Sequence, residues 1–253
     1  MNAAQELRLK IRSGQFTGPT AGQAPGFAQT NVVILPAEYA DDFEAFCRAN
    51  SQACPLIERG EVGAWQLRSA SGSDIRTDVP RYRVFRHGVA EAEQPTDIRH
   101  LWRDDMVVFL LGCSFTFEQA LLKAGLPVRH IEEGRNVSMY KTNIPCTSAG
   151  PFAGPLVVSM RPLMPEQVPV AVEVSGRFTT MHGEPVHWGD PAKIGIADIN
   201  RPDFGDAVTI KPGEVPVFWA CGVTPQLALE AARCDLAITH SPGCMFVTDL
   251  PTE

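Results

Sequence analysis

The chain has 253 residues, enough for one large domain or two modest ones, and 44% of them are hydrophobic, which is ample for a core. Its formal net charge of -7 and its lack of a basic run argue against nucleic acid as a partner. No apolar run approaches the roughly 20 residues of a membrane span, and the N-terminus lacks a secretory signal. Seven cysteines are an odd number in a chain without a secretory signal, so we expect reduced thiols in a cytoplasmic protein. The absence of a C-x-x-C pair argues against a structural zinc site.

Hydrophobic periodicity and the positions of glycine and proline divide the first part of the chain into short elements. The pattern predicts an amphipathic helix over Met1–Lys10, an irregular segment over Gly14–Gly26, a buried strand over Val32–Leu35, a helix over Glu38–Asn50 and a strand over Arg81–Arg86.

Two stretches that lie 108 positions apart, Val107–Ala124 and Val215–Ala232, are versions of one another. In each, an apolar run of strand length meets a turn of small residues, then a hydroxyl residue, then a helical pattern. Cys113 aligns with Cys221, and Thr116 aligns with Thr224. We therefore expect two similar strand–turn–helix units, the first ending at a glycine typical of a helix C-terminus.

Between and after these units the chain has more predicted strand than helix. Strands are expected over Leu156–Met160, Val168–Val174 and Leu236–Thr239, with a long loop region over Thr179–Gly205. The alternation of strands and helices predicts an α/β fold with a mostly parallel or mixed sheet and flanking helices. We assign residues 1–124 and 206–253 to the α/β core and residues 125–205 to a smaller inserted α+β subdomain.

The two predicted turns are candidate anion sites. A strand that feeds a helix through a small-residue turn leaves backbone N–H groups unpaired above the strand end. Two such ends in one chain favour an anion with two anionic groups. Cys113 is open to two interpretations, because a thiol at a helix N-terminus can become nucleophilic and a buried cysteine is usually a small apolar filler.

Acid and base candidates lie near these turns and in the long loop. Glu118 falls in the first turn of a helix, where the helix dipole alone explains a carboxylate, but if it is buried it can also act as a general acid or base. Histidine titrates near neutral pH, so His182, His187 and His240 are candidates for the same work. The alternative interpretation is that these histidines are solvent-exposed loop residues. For His182 and His187, which lie five positions apart in the loop, a metal site is a further alternative. Asn143 contributes a carboxamide, and Arg161 is suited to hold a carboxylate bidentately.

Several motifs together resemble the D-glutamate cyclase family. They are the runs at residues 14–26, 74–80, 112–118, 143–145, 160–162, 182–183, 216–225 and 239–243. The resemblance spans nearly the whole chain and is most specific at residues 112–118, Gly-Cys-Ser-Phe-Thr-Phe-Glu. It implies a two-part α/β fold and a dehydration of the lyase type. The activity that the family name implies is closure of D-glutamate to 5-oxo-D-proline with loss of water.

Lactam closure requires a base for the substrate ammonium, donors for the oxyanion and an acid for the departing hydroxyl, and no redox cofactor. The expected catalytic residues are Glu118, His182, His187 and His240. The expected substrate-binding residues are Cys113, Ser114, Thr116, Asn143, Arg161, Cys221, Gly222 and Thr224.

The alternatives are a metal-assisted hydro-lyase acting on a hydroxy acid and a non-catalytic module that binds a small carboxylate. No cofactor is required on the preferred interpretation, and a divalent metal belongs to the first alternative. The expected partner is a small carboxylate substrate, with no nucleic acid and no membrane, and a homo-oligomer is compatible with the sequence.

Overall fold

The computed structural model describes residues 1–252, whose strands form two sheets. The first sheet is assembled from both ends of the chain. In spatial order it contains β2 (Leu56–Arg59), β5 (Met106–Gly112), β1 (Phe27–Pro36), β10 (Ala237–His240), β3 (Tyr82–Arg86) and β4 (Val89–Ala90), with β11 (Phe246–Pro251) also paired to β1.

The second sheet is assembled from the middle of the chain. In spatial order it contains β6 (Ser138–Pro145), β7 (Pro155–Leu163), β9 (Val215–Ala220) and β8 (His187–Trp188). These strands come from both sides of the boundary expected at 205/206, and the division into core and insertion stays a prediction.

The α/β class is confirmed, but the expected mostly parallel strand direction is not. Every strand pairing among residues 1–252 is antiparallel. Parallel neighbours that follow one another in the chain require a crossover connection, usually a helix that returns across its own sheet. Here the helix after β5 packs on the second sheet instead, so the connection that would align neighbouring strands is not made.

Six α-helices of residues 1–252 accompany the sheets. They are α1 (Ala3–Arg12), α2 (Ala40–Ala49), α3 (Phe115–Lys123), α4 (Arg129–Glu132), α5 (Val168–Gly176) and α6 (Thr224–Ala232). The first helix opens with a capping box between Asn2 and Gln5. The third ends before Gly125, whose φ of +78° is the left-handed geometry expected there. None of these helices has the length and apolar character to cross a membrane.

The strand expected over Val168–Val174 is wrong, because this segment is helix α5. Its β-branched residues favour a strand, but Pro169 lies in the first helical turn, where proline is well tolerated. The buried residues Val168, Ala171 and Ser175 recur at helical spacing, and the helix packs against α3. Tertiary packing therefore overrides the local strand preference.

Helices alternate with the sheets in layers. Phe43 and Phe46 of α2, together with Ala228 of α6, share one core cluster with buried residues of both sheets. Phe117 of α3 packs with Trp219 on the outer face of the second sheet, which α5 also covers. Residues of both strand–turn–helix units are therefore buried in the cores that the sheets form with these helices.

The repeat seen in the sequence is a repeat in three dimensions. Gly112 at the end of β5 pairs with Thr30 of β1, and Ala220 at the end of β9 pairs with Val158 of β7 in the same register. The repeat therefore includes the neighbouring strands β1 and β7, which show no obvious likeness in sequence.

Each unit gives a strand to the other sheet. The chain leaves β5 through α3 and α4 and enters β6, which pairs with β7 of the second sheet. It leaves β9 through α6 and enters β10, which pairs with β1 of the first sheet. This exchange draws the starts of α3 and α6 toward each other.

Candidate active site

The two strand–turn–helix ends converge on the side chain of Asn31 in β1. Its Nδ2 donates to Gly112 O at 2.6 Å. A Cβ placed on Gly222 would lie 1.9 Å from the same Nδ2, so the absence of a side chain at Gly222 makes room for Asn31. Asn31 therefore bridges the two turns.

The thiols of Cys113 and Cys221 lie inside these turns as apolar, protonated groups. Burial raises the pKa of Cys113 well above its ordinary value and that of Cys221 to about 11. The backbone N–H of Phe115 approaches the first thiol, and the N–H of Val223 approaches the second. The burial of both thiols favours their interpretation as apolar fillers over their interpretation as nucleophiles. In each turn, one backbone N–H is directed at the cysteine sulfur.

The hydroxyls of Thr116 and Thr224 tie each helix to a neighbouring strand. Thr116 Oγ1 accepts from Gln29 N in β1, and Thr224 Oγ1 accepts from Val157 N in β7, both at 3.0 Å. Matched bonds in the two units confirm the correspondence between β1 and β7.

A buried guanidinium organises the polar residues beside the first turn. Arg161 has no solvent exposure. Its Nη2 donates to Glu118 Oε1 at 2.5 Å and to Ser114 Oγ at 3.0 Å, and its Nη1 donates to Ser159 Oγ at 3.1 Å. Two aromatic rings, which lie 5.3 and 5.5 Å from the guanidinium carbon, hold it in place. We call Arg161, Glu118, Ser114, Ser159 and His130 the Arg161 cluster.

Glu118 is buried and ionised in this cluster. His130 Nε2 lies 3.1 Å from Glu118 Oε1, although it is not aligned as a hydrogen bond. Burial alone would raise the pKa of Glu118, but His130 and Arg161 outweigh burial and hold it below its ordinary value. Glu118 Oε2 is buried without a hydrogen-bond partner. The carboxylate thus keeps one free acceptor oxygen.

His182 adds a second unsatisfied polar atom. It is buried, and its Nδ1 lies 2.8 Å from Gln52 O. Because a carbonyl oxygen only accepts, Nδ1 carries the proton and Nε2 presents a lone pair. Nε2 makes no aligned hydrogen bond, although the backbone of Gly112 lies close to the ring. Burial lowers the pKa of His182 to about 4, and the charge of Arg161 contributes to that shift. The ring is therefore neutral at pH 7.

Three of the expected residues lie apart from the Arg161 cluster. His240 is buried against β1, where its Nδ1 accepts from Val32 N at 3.1 Å, and burial lowers its pKa to about 4. His187 lies in the edge strand β8, where its ring stacks on Phe218. Asn143 is exposed in β6.

Sequence reasoning missed Asn31, Ser159 and His130. Ser159 precedes Arg161 by two residues in a strand, so its side chain lies on the same face, and that spacing could have identified it. Nothing in the sequence connects Asn31 or His130 with the turns. Among residues 1–252, no group of three or more His, Cys, Asp or Glu side chains is arranged to hold a metal ion.

Comparison with known proteins agrees with this architecture. Residues 107–249 match the family model described as D-glutamate cyclase. A Bordetella petrii protein named "Putative hydro-lyase" is 59% identical over 98% of this chain and 94% of its own length. Proteins of the same name from Rubrobacter xylanophilus and Bacillus licheniformis are 60% and 59% identical, over 97% and 98% of this chain and 95% of each relative. The chain belongs to the D-glutamate cyclase family.

Proposed function

We propose that this protein closes D-glutamate to 5-oxo-D-proline with loss of water, and that the reaction takes place at the Arg161 cluster. The coarser assignment, a lyase of the hydro-lyase type, follows from family membership. The finer assignment rests on the polar atoms that the cluster leaves unmatched.

Three of the unmatched positions in and beside the cluster complement an amino acid. Glu118 Oε2 and His182 Nε2 are buried acceptors without partners. Arg161 has five N–H groups, of which its contacts to Glu118, Ser114 and Ser159 use four. Buried polar groups are rarely left unpaired, so these atoms are suited to a ligand that supplies both donors and an acceptor. An ammonium and a carboxylate are such a pair, and this complementarity is the observation that carries the proposal.

The proposed reaction forms a C–N bond and breaks a C–O bond. The ammonium binds Glu118 Oε2, which takes a proton from it. The free amine attacks the γ-carboxyl carbon, and Arg161 with Ser114 stabilises the oxyanion. Glu118 delivers that proton to one γ-carboxyl oxygen, then takes a second proton from the newly bonded nitrogen and delivers it to the same oxygen. The C–O bond breaks, and the oxygen leaves as water. The neutral His182 accepts a hydrogen bond from the ammonium and keeps it in attack geometry.

The ion pair also explains how a low-pKa carboxylate serves as a base. In the free protein Arg161 helps to hold the pKa of Glu118 down. A substrate carboxylate that shares Arg161 weakens this interaction, and the pKa of Glu118 then rises toward the range where it accepts a proton. Substrate binding and base activation are thereby coupled.

The test is turnover of D-glutamate and L-glutamate, with 5-oxoproline measured by chiral chromatography. We expect product from the D-enantiomer and a kcat about a hundredfold lower for Glu118→Gln, since general acid–base groups contribute about 10²–10⁴-fold. Glu173→Gln is the matched control, because Glu173 is exposed in α5 and its ion pair is with Arg177, directly after that helix.

Absence of 5-oxoproline from both enantiomers would refute the named reaction. A wild-type rate for Glu118→Gln would refute the role of the cluster. If that variant fails to fold, Ser159→Ala provides the test, because it removes a single bond to Arg161.

A further inference from the structure

A second polar site lies in an open cleft that the sequence did not indicate. The cleft has a volume of about 450 Å³, within the range of small-molecule sites. It is bounded by the segment Thr17–Pro19, by β3 and by the turn Ser241–Cys244. Its volume is ample for a small organic ion.

The charge of this cleft is unusual for an acidic chain. Arg81 and Arg83 both line it, and no Asp or Glu of residues 1–252 does. Within residues 1–252, neither Arg81 nor Arg83 forms an ion pair. By contrast, Arg86, which lies in β3 with Arg83, pairs with Glu91. In a chain whose formal net charge is -7, two guanidinium groups without ion-pair partners make this cleft attractive to an anion.

Neutral partners hold Arg83 in position. Its Nη1 donates to Gln226 Oε1 at 3.1 Å, and its guanidinium carbon lies 5.5 Å from the centroid of the Phe85 ring and 5.8 Å from that of Phe204. A neutral amide and two rings orient the guanidinium without cancelling its charge. Arg81 is exposed, and its Nε donates to Thr17 O at 2.9 Å, which leaves its terminal nitrogens available.

The cleft adjoins the two turns. Cys244 lines it, and the next residue, Met245, places its Sδ 3.1 Å from Cys113 Sγ. Phe204 lines the cleft and also packs against the apolar cluster that contains Cys113 and Cys221. Phe204 and the segment at Cys244 therefore connect the cleft with the apolar surroundings of the turns.

We infer that this cleft binds a small aliphatic dicarboxylate, with one carboxylate on Arg83 and the other on Arg81. Only the choice of a five-carbon ligand rests on the proposed function. The same chemistry fits a substrate on its way to the Arg161 cluster and an effector that remains in the cleft.

The test is calorimetric titration of the full chain with glutarate, which has two carboxylates and no amine to react. Since hydrogen bonds to charged groups are worth about 1.5–3 kcal/mol, we expect Arg83→Gln to weaken binding about tenfold or more. Arg81→Gln is expected to weaken it less, because Arg81 is exposed. Arg86→Gln removes the same charge from the same strand outside the cleft and is the matched control.

Undetectable glutarate binding, or equal binding by wild type and both cleft variants, would overturn the inference whether or not D-glutamate is turned over. Arginine-dependent binding without any 5-oxoproline would support the cleft while refuting the proposed reaction. If Arg83→Gln fails to fold, the comparison of Arg81→Gln with Arg86→Gln decides. In an active enzyme, a raised KM for Arg81→Gln at unchanged kcat identifies the dicarboxylate as substrate. A glutarate effect on kcat alone identifies it as an effector, and both of these outcomes support binding.

Discussion

The convergence of the two turns can be tested by giving Gly222 a side chain. In Gly222→Ala the new Cβ would lie 1.9 Å from Asn31 Nδ2, 2.0 Å from its Cγ and 2.3 Å from its Oδ1. Asn31 must therefore leave Gly112 O. The lost buried hydrogen bond costs about 1–3 kcal/mol, and overpacking costs about 1–3 kcal/mol more. We expect the free energy of unfolding to fall by about 2–6 kcal/mol.

Urea denaturation of a double-mutant cycle separates this effect from a general loss of stability. Asn31→Ala removes the obstructing amide, so the added methyl group of Gly222→Ala has room. We expect the double variant to lie within about 1 kcal/mol of Asn31→Ala alone, since residues in contact are not additive. Gly18→Ala is the control, because nothing lies within 4 Å of its added Cβ.

Additive effects of Gly222→Ala and Asn31→Ala would refute the close approach of the two turns. A Gly222→Ala variant as stable as Gly18→Ala would refute it as well.

Three further predictions follow from the site. Thr116→Val and Thr224→Val are expected to destabilise the protein by similar amounts, about 1–3 kcal/mol each, because their hydroxyls accept matched 3.0 Å hydrogen bonds. Thermal melting of the two variants measures these losses, and a large difference between them would contradict the structural repeat. Ser114→Ala is expected to lower the kcat for D-glutamate several-fold with a smaller change in KM, because Ser114 helps to stabilise the oxyanion. Steady-state kinetics measure both constants, and an unchanged kcat would remove Ser114 from oxyanion stabilisation. His240 binds a proton at pH 5–6 in the unfolded chain but not in the folded one, since its folded pKa is lowered to about 4; stability therefore falls as the pH drops from 6.5 to 4. His240→Asn is expected to flatten that fall in melting temperature, and an unchanged slope would exclude His240 as its source.

Local patterns were sufficient for the repeat and for most helix and strand positions. Gly125 ends α3 as its position predicts, because a left-handed residue after a helix is a local requirement. Strand direction failed because it depends on where a helix packs, and the faces of α3 do not specify which sheet receives it. The segment Val168–Val174 failed because its β-branched residues indicate a strand on local grounds alone.

The candidate site, too, could be predicted from the sequence only in part. Arg161 and Glu118 could be identified as charged residues in apolar surroundings, but their pairing joins β7 to α3 across 43 positions of the chain. Asn31 is an ordinary strand residue in the sequence. Its importance arises from the closeness of Gly112 and Gly222, which only the assembled sheets create.

The reciprocal placement of β6 and β10 has the geometry of a domain-swapped dimer joined into one polypeptide. A single unit made as a separate chain would leave one sheet short of a strand and would offer its own strand to a second copy. Joining two units frees corresponding positions to diverge. Glu118 and Gln226 occupy matching positions of the two units, yet the first binds the buried Arg161 and the second binds Arg83 at the cleft. Two corresponding helix positions thus provide a charged interior in one unit and a neutral support for an anion-attracting cleft in the other.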